Sequence, residues 1–473
     1  MVSIAWLRDD LRTADNPALL AAVQEGEAAA LYVLDEETEG IRPLGSAAKW
    51  WLHHGLLALK KDLSALGIPL VLLRGPVARV VPEFMRRAGA ERIFWNRRYG
   101  GPERAVDAAI KERAGAAGQQ AESFQASLLH EPWTVRTGQG GPYRVFTPFW
   151  RTVSSLNFRA PLDAPAKAAA PPSGLPSGED LNDWNLLPRN PDWSAGLSKA
   201  WTPGEEAGLA ALQEFLDGPV QDYENGRNLP AKPGTSRLSP YLRWGHISPF
   251  QVWHALSRVR GNDPGPDVFG TEIGWREFCW HQLFHNPDLA TKNLRPAFDA
   301  FPWEWPEDAG PQTPPVLRAG RTADPLQASR PQDLAPLDAW KAGLTGIPLV
   351  DAGQRQLWEM GWMHNRVRMV AASFLVKNLG VHWRVGEEWF WETLVDADPA
   401  SNPANWQWVA GSGADAAPFF RIFNPVTQAK RFDPDGAYIA RWVPEALTPS
   451  YPEPLVDLGE SRQHALDAYG SIR

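Results

Sequence analysis

Two segments of this chain gather side chains that are costly to bury and useful once buried. Gly361-Trp362-Met363-His364-Asn365-Arg366-Val367-Arg368-Met369 sets a tryptophan beside amide, imidazole and guanidinium groups. Asp396-Ala397-Asp398-Pro399-Ala400-Ser401-Asn402 runs into Asn405-Trp406-Gln407-Trp408 and sets tryptophans beside carboxylates and amides. Tryptophan wants a largely apolar site with one polar partner, and Asp and Arg are rarely buried unless paired. A pocket lined by all of them suits a large, flat, polar, electron-rich ligand with nucleic acid nearby. The plain alternative is a helical core with salt bridges at its edge.

Upstream, Gly234-Thr235-Ser236-Arg237-Leu238-Ser239-Pro240 combines glycine, hydroxyls and arginine just before a predicted helix. Backbone N–H groups at such a point can hold a phosphate, or Ser239 can serve as a simple N-cap. Asp396-Ala397-Asp398 has the spacing of a divalent-metal site. Arg368 and Asn402 suggest another use, with Arg368 paired to Asp396 and Asp398 accepting hydrogen bonds from a ligand. His281 and His285 imitate half of a zinc motif without its glutamate, and read as a partly exposed helix face.

Together these strings resemble the flavin pocket of the photolyase/cryptochrome family, specifically the class I cyclobutane pyrimidine dimer photolyases. The resemblance implies light-driven repair of UV-damaged DNA by electron transfer from reduced, non-covalently bound FAD to a flipped-out dimer, with a cryptochrome-like photoreceptor as the alternative. The family's FAD contacts fall on Tyr223, Thr235, Ser236, Arg237, Leu238, Ser239, Trp362, Asn365, Arg368, Asp396, Asp398 and Asn402, the last facing flavin N5. Its electron-transfer chain falls on Trp406, Trp383 and a third tryptophan, for which Trp303 fits better than Trp305. Lesion and DNA contacts fall on Arg227, Glu272, Trp275, Asn365, Arg366, Met369 and Trp408, with Glu272 stabilising charge in the substrate. Plant-type cryptochromes place aspartate where Asn402 stands. The (6-4) photolyases carry a histidine pair where this chain has Trp362-Met363-His364-Asn365. Both differences point to dimer repair. A second, light-harvesting chromophore, a folate or a deazaflavin, is implied near Asn96-Arg97-Arg98-Tyr99, Glu103 and Lys292. Trp50-Trp51-Leu52-His53-His54 does not choose between them.

These residues need elements to position them. Residues 1–128 alternate short apolar runs with helical periods: strands at Val2–Leu7, Ala29–Leu34, Pro69–Leu73 and Arg92–Trp95, and helices between. That alternation predicts a Rossmann-like parallel sheet covered on both faces, yet neither G-x-G-x-x-G nor a P-loop occurs there. Residues 129–200 are rich in Pro, Ser, Gly and Ala and read as a connecting linker, with Tyr143–Trp150 more ordered. Residues 201–473 read as a mainly α-helical FAD- and DNA-binding domain, in which Trp275, Phe278, Cys279 and Leu283 share one helix face. The proline-rich run 306–336 reads as an exposed loop.

Composition sets outer limits. The chain has 473 residues, a formal net charge of −8 and 24 tryptophans. The charge disfavours a protein that coats DNA non-specifically but allows a local basic patch. One cysteine, Cys279, excludes an intramolecular disulfide and multi-thiolate zinc sites. The start of the chain lacks a signal-peptide pattern and no apolar run is long enough to span a membrane. A cytoplasmic monomer without a metal is expected.

Overall fold

The structure, a computed structural model, describes all residues except 169, 170, 262, 307–309, 311–333 and 417–419. The N-terminal part is a five-stranded parallel sheet. Its strands are β1 (Val2–Leu7), β2 (Glu27–Leu34), β3 (Leu70–Arg74), β4 (Ala90–Asn96) and β5 (Gln120–Phe124), in the order β3-β2-β1-β4-β5. The central strands are buried on both faces, as continuous apolar runs such as Ser3–Leu7 require. Side chains alternate between two cores. Ile4, Trp6, Leu31 and Val33 pack under the helices Val77–Arg87 and Gly101–Ala116. Ala5, Leu7, Ala30 and Tyr32 face the other way. Strand β5 escaped the sequence reading because it is a half-exposed edge of polar composition, Gln-Ala-Glu-Ser-Phe.

The second of those cores does not stop at the sheet. Trp50, Trp51 and Leu56 of the helix Ser46–Ala65 continue it into Trp201, Tyr241, Trp244 and Ile247 of the helical part. One polar contact of the join is matched on both sides. Trp51 Nε1 donates to His246 Nε2 at 3.0 Å, and the ring's other nitrogen lies 2.9 Å from the Leu11 carbonyl. Burial pushes the His246 pKa down to about 4, so the ring is neutral, accepting at Nε2 and donating from Nδ1.

Residues 161–168 and 171–188, read as part of a linker or long surface connection, run as a strap across the sheet unit. Ala168 N donates to Leu66 O at 2.8 Å and Glu179 N to Leu72 O at 2.8 Å. Leu181, Trp184 and Leu186 are buried in the shared core, with Trp184 against Tyr32. Further upstream the helix Phe146–Val153 packs on the long helix Gly265–His285. Gly274 makes this possible, because a Cβ there would lie 2.5 Å from the Trp150 ring. The expected 306–336 loop falls almost wholly outside the described residues. Among the described residues no helix is long and apolar enough to cross a membrane.

Candidate functional site

A cavity of about 480 Å³ opens in the helical part between Gly265–His285, Asn365–Ser373 and Ser401–Ala410. That volume is ample for a cofactor-sized ligand. Its wall holds every expected FAD contact: Tyr223, Thr235 to Ser239, Trp362, Asn365, Arg368, Asp396, Asp398 and Asn402. Arg227, Glu272, Trp275, Met369, Trp406 and Trp408 line it too. Arg366, Trp383 and Trp303 stand outside the lining.

Close backbone approaches bring these distant strings together. Gly361 adopts φ +61°, its carbonyl accepts from Val395 N at 2.8 Å, and a Cβ would lie 2.8 Å from Val395. This contact sets Trp362 beside Asp396. Gly234 plays the same part for the phosphate-type loop, since its Cβ would meet Gly226 O at 2.5 Å. The helix Ser239–Arg243 is only five residues long and has no side-chain cap, so Ser239 is not an N-cap that bonds back to its own helix. What faces the cavity is a string of hydroxyls and Arg237, itself at φ +52° and stacked 4.2 Å over Trp201.

Two buried polar atoms on the wall find no partner among the described residues: Arg237 Nε and Asp396 Oδ1. The first is a cationic donor, whose pKa burial pushes down, and an anion beside it would relieve that cost. The second is an acceptor. Asp396 Oδ2 already holds Arg368 Nη2 at 2.8 Å, so Oδ1 is fixed in place and waits for a donor. A cofactor with a pyrophosphate and ring N–H groups supplies both needs. The two aspartates of the metal-like spacing serve different ends. Asp398 Oδ1 accepts from Ala400 N and Ser401 N at 2.9 and 2.6 Å, opening the helix Ser401–Ala410.

Most residues expected to meet a lesion also line the cavity, with Arg366 outside it. Glu272 Oε1 accepts from Arg227 Nη1 at 2.5 Å. Burial raises the Glu272 pKa and Arg227 opposes this. Trp275 stacks on Phe146 with ring centroids 3.8 Å apart and planes 8° apart, which leaves the half-buried indole a fixed platform. Trp408 lies under Arg421 and near Phe423. Arg366 holds Asn228 Oδ1 and sits over Phe432, and the charges of Arg227 and Arg431 add to burial in lowering its pKa. A local basic cluster thus exists on an acidic chain. Arg421 and Arg431 were not picked out from sequence, where they sit among ordinary surface residues.

His364 differs from its neighbours. It is 2% exposed and lies outside the cavity lining. Its Nδ1 accepts from Arg366 N at 3.2 Å, so it caps the helix Asn365–Ser373. His382 does the same for Trp383–Thr393, through Arg384 N at 3.1 Å. Burial brings their pKa values down to about 4 and about 3. Both are neutral caps. His281 is likewise buried, not on an exposed helix face, and accepts from Tyr143 N at 3.1 Å.

Trp406, on the cavity wall, and Trp383 are each held by a close neighbour. Trp406 lies against Gly386, where a Cβ would come within 2.1 Å of its ring. Trp383 is fully buried, with Nε1 donating to Asn293. His382 touches three indoles: Trp383 at 5.6 Å between centroids, Trp303 at 4.9 Å and Trp305 at 4.0 Å. Trp303 is buried and Trp305 half-exposed.

Sequence reasoning missed Arg243, which lines the cavity, and Glu387, which stands behind it. Arg243 Nε donates to Ala397 O at 2.6 Å, between the two aspartates, and its Nη1 holds Asp9 of the sheet unit at 2.7 Å. Asn402 Nδ2 donates to Glu387. The Glu387-Glu388 pair in an aromatic-rich helix was the only signal. Of the positions named for a second chromophore, Arg97 holds Glu131 and Lys292 is exposed beside Asp288, while Arg98 Nε and Tyr99 Oη are buried with no hydrogen-bond partner among the described residues; Trp50 and Trp51 are core.

Residues 3–169 match the family model described as DNA photolyase, and residues 269–448 match that of the FAD binding domain of DNA photolyase. The deoxyribodipyrimidine photo-lyase of Agrobacterium fabrum is 45% identical, over 99% of this chain and 98% of its own. The chain belongs to the photolyase/cryptochrome family. It carries that family's FAD-binding domain, and the cavity with its two unmet polar atoms fits FAD. A bacterial class III photolyase from Agrobacterium tumefaciens superposes with a TM-score of 0.89 at 45% identity, covering 99% of this chain and 97% of that one. Cryptochrome-1 of Arabidopsis thaliana is 36% identical over 94% of this chain, which spans 63% of that longer relative. The family expectation therefore holds. The class I assignment does not follow, since a relative matched over its whole length is a class III enzyme.

Proposed function

We propose that this protein repairs cyclobutane pyrimidine dimers in DNA with light, in the manner of the class III photolyase it resembles rather than a class I enzyme. The observation that carries the reading is one cavity whose lining holds two chemistries: phosphate- and ring-binding groups, and stacking and base-edge groups. FAD in its reduced state supplies the light-driven electron. The rest is the work of this chain's residues.

Arg237 with the Thr235 and Ser236 hydroxyls would hold the pyrophosphate. The Arg368–Asp396 pair would present Oδ1 to a ring N–H, and Asn402 would set its Oδ1 toward flavin N5 as an acceptor that adds no charge. Trp275 and Trp408 would stack the flipped dimer, and Glu272 would hold its polar edges and stabilise charge there. Arg227 and Arg366 would grip the flanking phosphates. Trp406, Trp383 and Trp303 or Trp305 would carry electrons inward from the surface when the flavin is oxidised. The photoreceptor reading draws on the cryptochrome relative, but Asn402 and the lesion-type wall favour repair. Illuminating the FAD-loaded protein with dimer-containing oligonucleotide separates the two: restored pyrimidines support repair, and bound but unrepaired DNA counts against it.

A further inference from the structure

Asn402 gives both hydrogen bonds of its amide nitrogen to one residue. Nδ2 donates to Glu387 Oε1 at 2.8 Å and to Glu387 O at 3.0 Å. A carboxylate can only accept, so the amide cannot flip while Glu387 is ionised. Oδ1 is thereby left for the cavity that Asn402 lines.

Glu387 is 1% exposed, and its counter-charge comes from far away in the chain. Arg42, in the loop that follows β2, reaches it in a bidentate pair, both N–O distances being 2.8 Å. The same guanidinium holds Glu388 at 2.7 Å and lies 4.1 Å over the Trp391 ring. Its loop is docked as a unit: Trp391 Nε1 donates to Pro43 O, Ser46 Oγ to Glu392 Oε1, and Gly45 abuts the Trp391 carbonyl.

We propose that Arg42 is a positioning residue for the flavin, holding Glu387 as an acceptor so that the Asn402 amide keeps its oxygen toward N5. The proposal rests on the reading that Asn402 faces N5. Reduced flavin bears a proton on N5 and donates; oxidised flavin has a lone pair there and accepts. A fixed Oδ1 favours the first and opposes the second. Without Arg42, the buried Glu387 carboxylate keeps only the coulombic attraction of Arg384 and takes up a proton more readily. A protonated carboxyl can donate, the amide can turn its NH₂ to the cavity, and the balance moves to oxidised flavin. The sheet unit thus sets the redox poise of a cofactor held in the helical unit.

The test uses the full chain loaded with FAD and reads the dark rate at which reduced flavin returns to oxidised in air, with FAD affinity measured alongside. Arg42→Met should reoxidise about tenfold faster, the equivalent of one charge-assisted hydrogen bond, with FAD affinity little changed. Arg42→Lys, a point charge without the fork, should fall between Met and wild type. Ser46→Ala loosens the same docked loop without touching Glu387 and should keep the wild-type rate. Should Arg42→Met not fold, Glu387→Gln reads the same link, because its side-chain amide can donate or accept, and it should also reoxidise faster. A wild-type rate in the folded Arg42→Met or in Glu387→Gln overturns the proposal, as does a Ser46→Ala rate equal to that of Arg42→Met. Asn402→Ala locates the fault: if it alone alters the rate, the Arg42 link is wrong; if it too is silent, the Asn402–N5 reading fails and the proposal falls with it.

Discussion

Asn402 and Trp406 sit one helical turn apart on Ser401–Ala410 and face different tasks. Trp406→Phe should abolish photoreduction of oxidised FAD, because phenylalanine is far harder to oxidise, while repair from chemically reduced flavin survives. Flash absorption on the mutant checks this, and wild-type photoreduction would remove Trp406 from the chain. Asn402→Asp has a sharper expectation now that its neighbour is known. The new carboxylate faces Glu387 where Nδ2 now donates at 2.8 Å, so one of the two must take up a proton. FAD should stay bound, while the yield of repaired dimer falls. Trp275→Ala should weaken damage-specific binding by about 1–3 kcal/mol, the worth of one stacking platform, measured by titration of a dimer oligonucleotide. The residue types of the cavity wall were legible because Asp, Arg and Trp together are hard to bury without a ligand. Glu387 and Arg42 were not legible, since an ion pair between residues 345 apart leaves no local trace.

At the level of elements, small residues decide how closely the cavity's walls meet. Gly386→Ala puts a methyl 2.1 Å from the Trp406 ring, against a helix that cannot yield easily. It should cost about 1–3 kcal/mol of stability and slow photoreduction together, read by thermal melting and flash absorption on one sample. Strands β1 to β4 were readable as apolar runs and the helices by their period. The edge strand β5 was not, because its polar side chains follow from its exposure. The strap looked like a linker because proline, serine and glycine dominate it. What anchors it is backbone hydrogen bonds to Asp15, Leu66 and Leu72 and the burial of Leu181, Trp184 and Leu186, which composition does not register.

Across the whole molecule, neutral histidines join the parts. His246 ties the helix Ser46–Ala65 to the helical unit, and His364 caps a cavity helix. Burial lowers both from an ordinary 6.5 to about 4. The unfolded chain therefore binds protons that the folded one refuses, and stability is full above pH 6.5 and falls as pH drops towards 4. Each should cost about 3 kcal/mol across that window, visible as falling denaturation midpoints and early release of FAD. His246→Gln should flatten part of that slope. The shared core between the units was beyond the sequence reading, which could name Trp50 and Trp51 but not the surface they meet. The central claim concerns what the assembled cavity does, and one experiment reaches it directly. FAD-loaded, reduced protein is given a defined cyclobutane-dimer oligonucleotide and, beside it, a (6-4) oligonucleotide, under blue light and in the dark. The expected result is light-dependent recovery of intact thymines from the first and no change in the second, weakening steeply with salt as arginine–phosphate contacts are lost. Repair of the (6-4) lesion alone, or of neither under conditions where the flavin is reduced, would contradict the account.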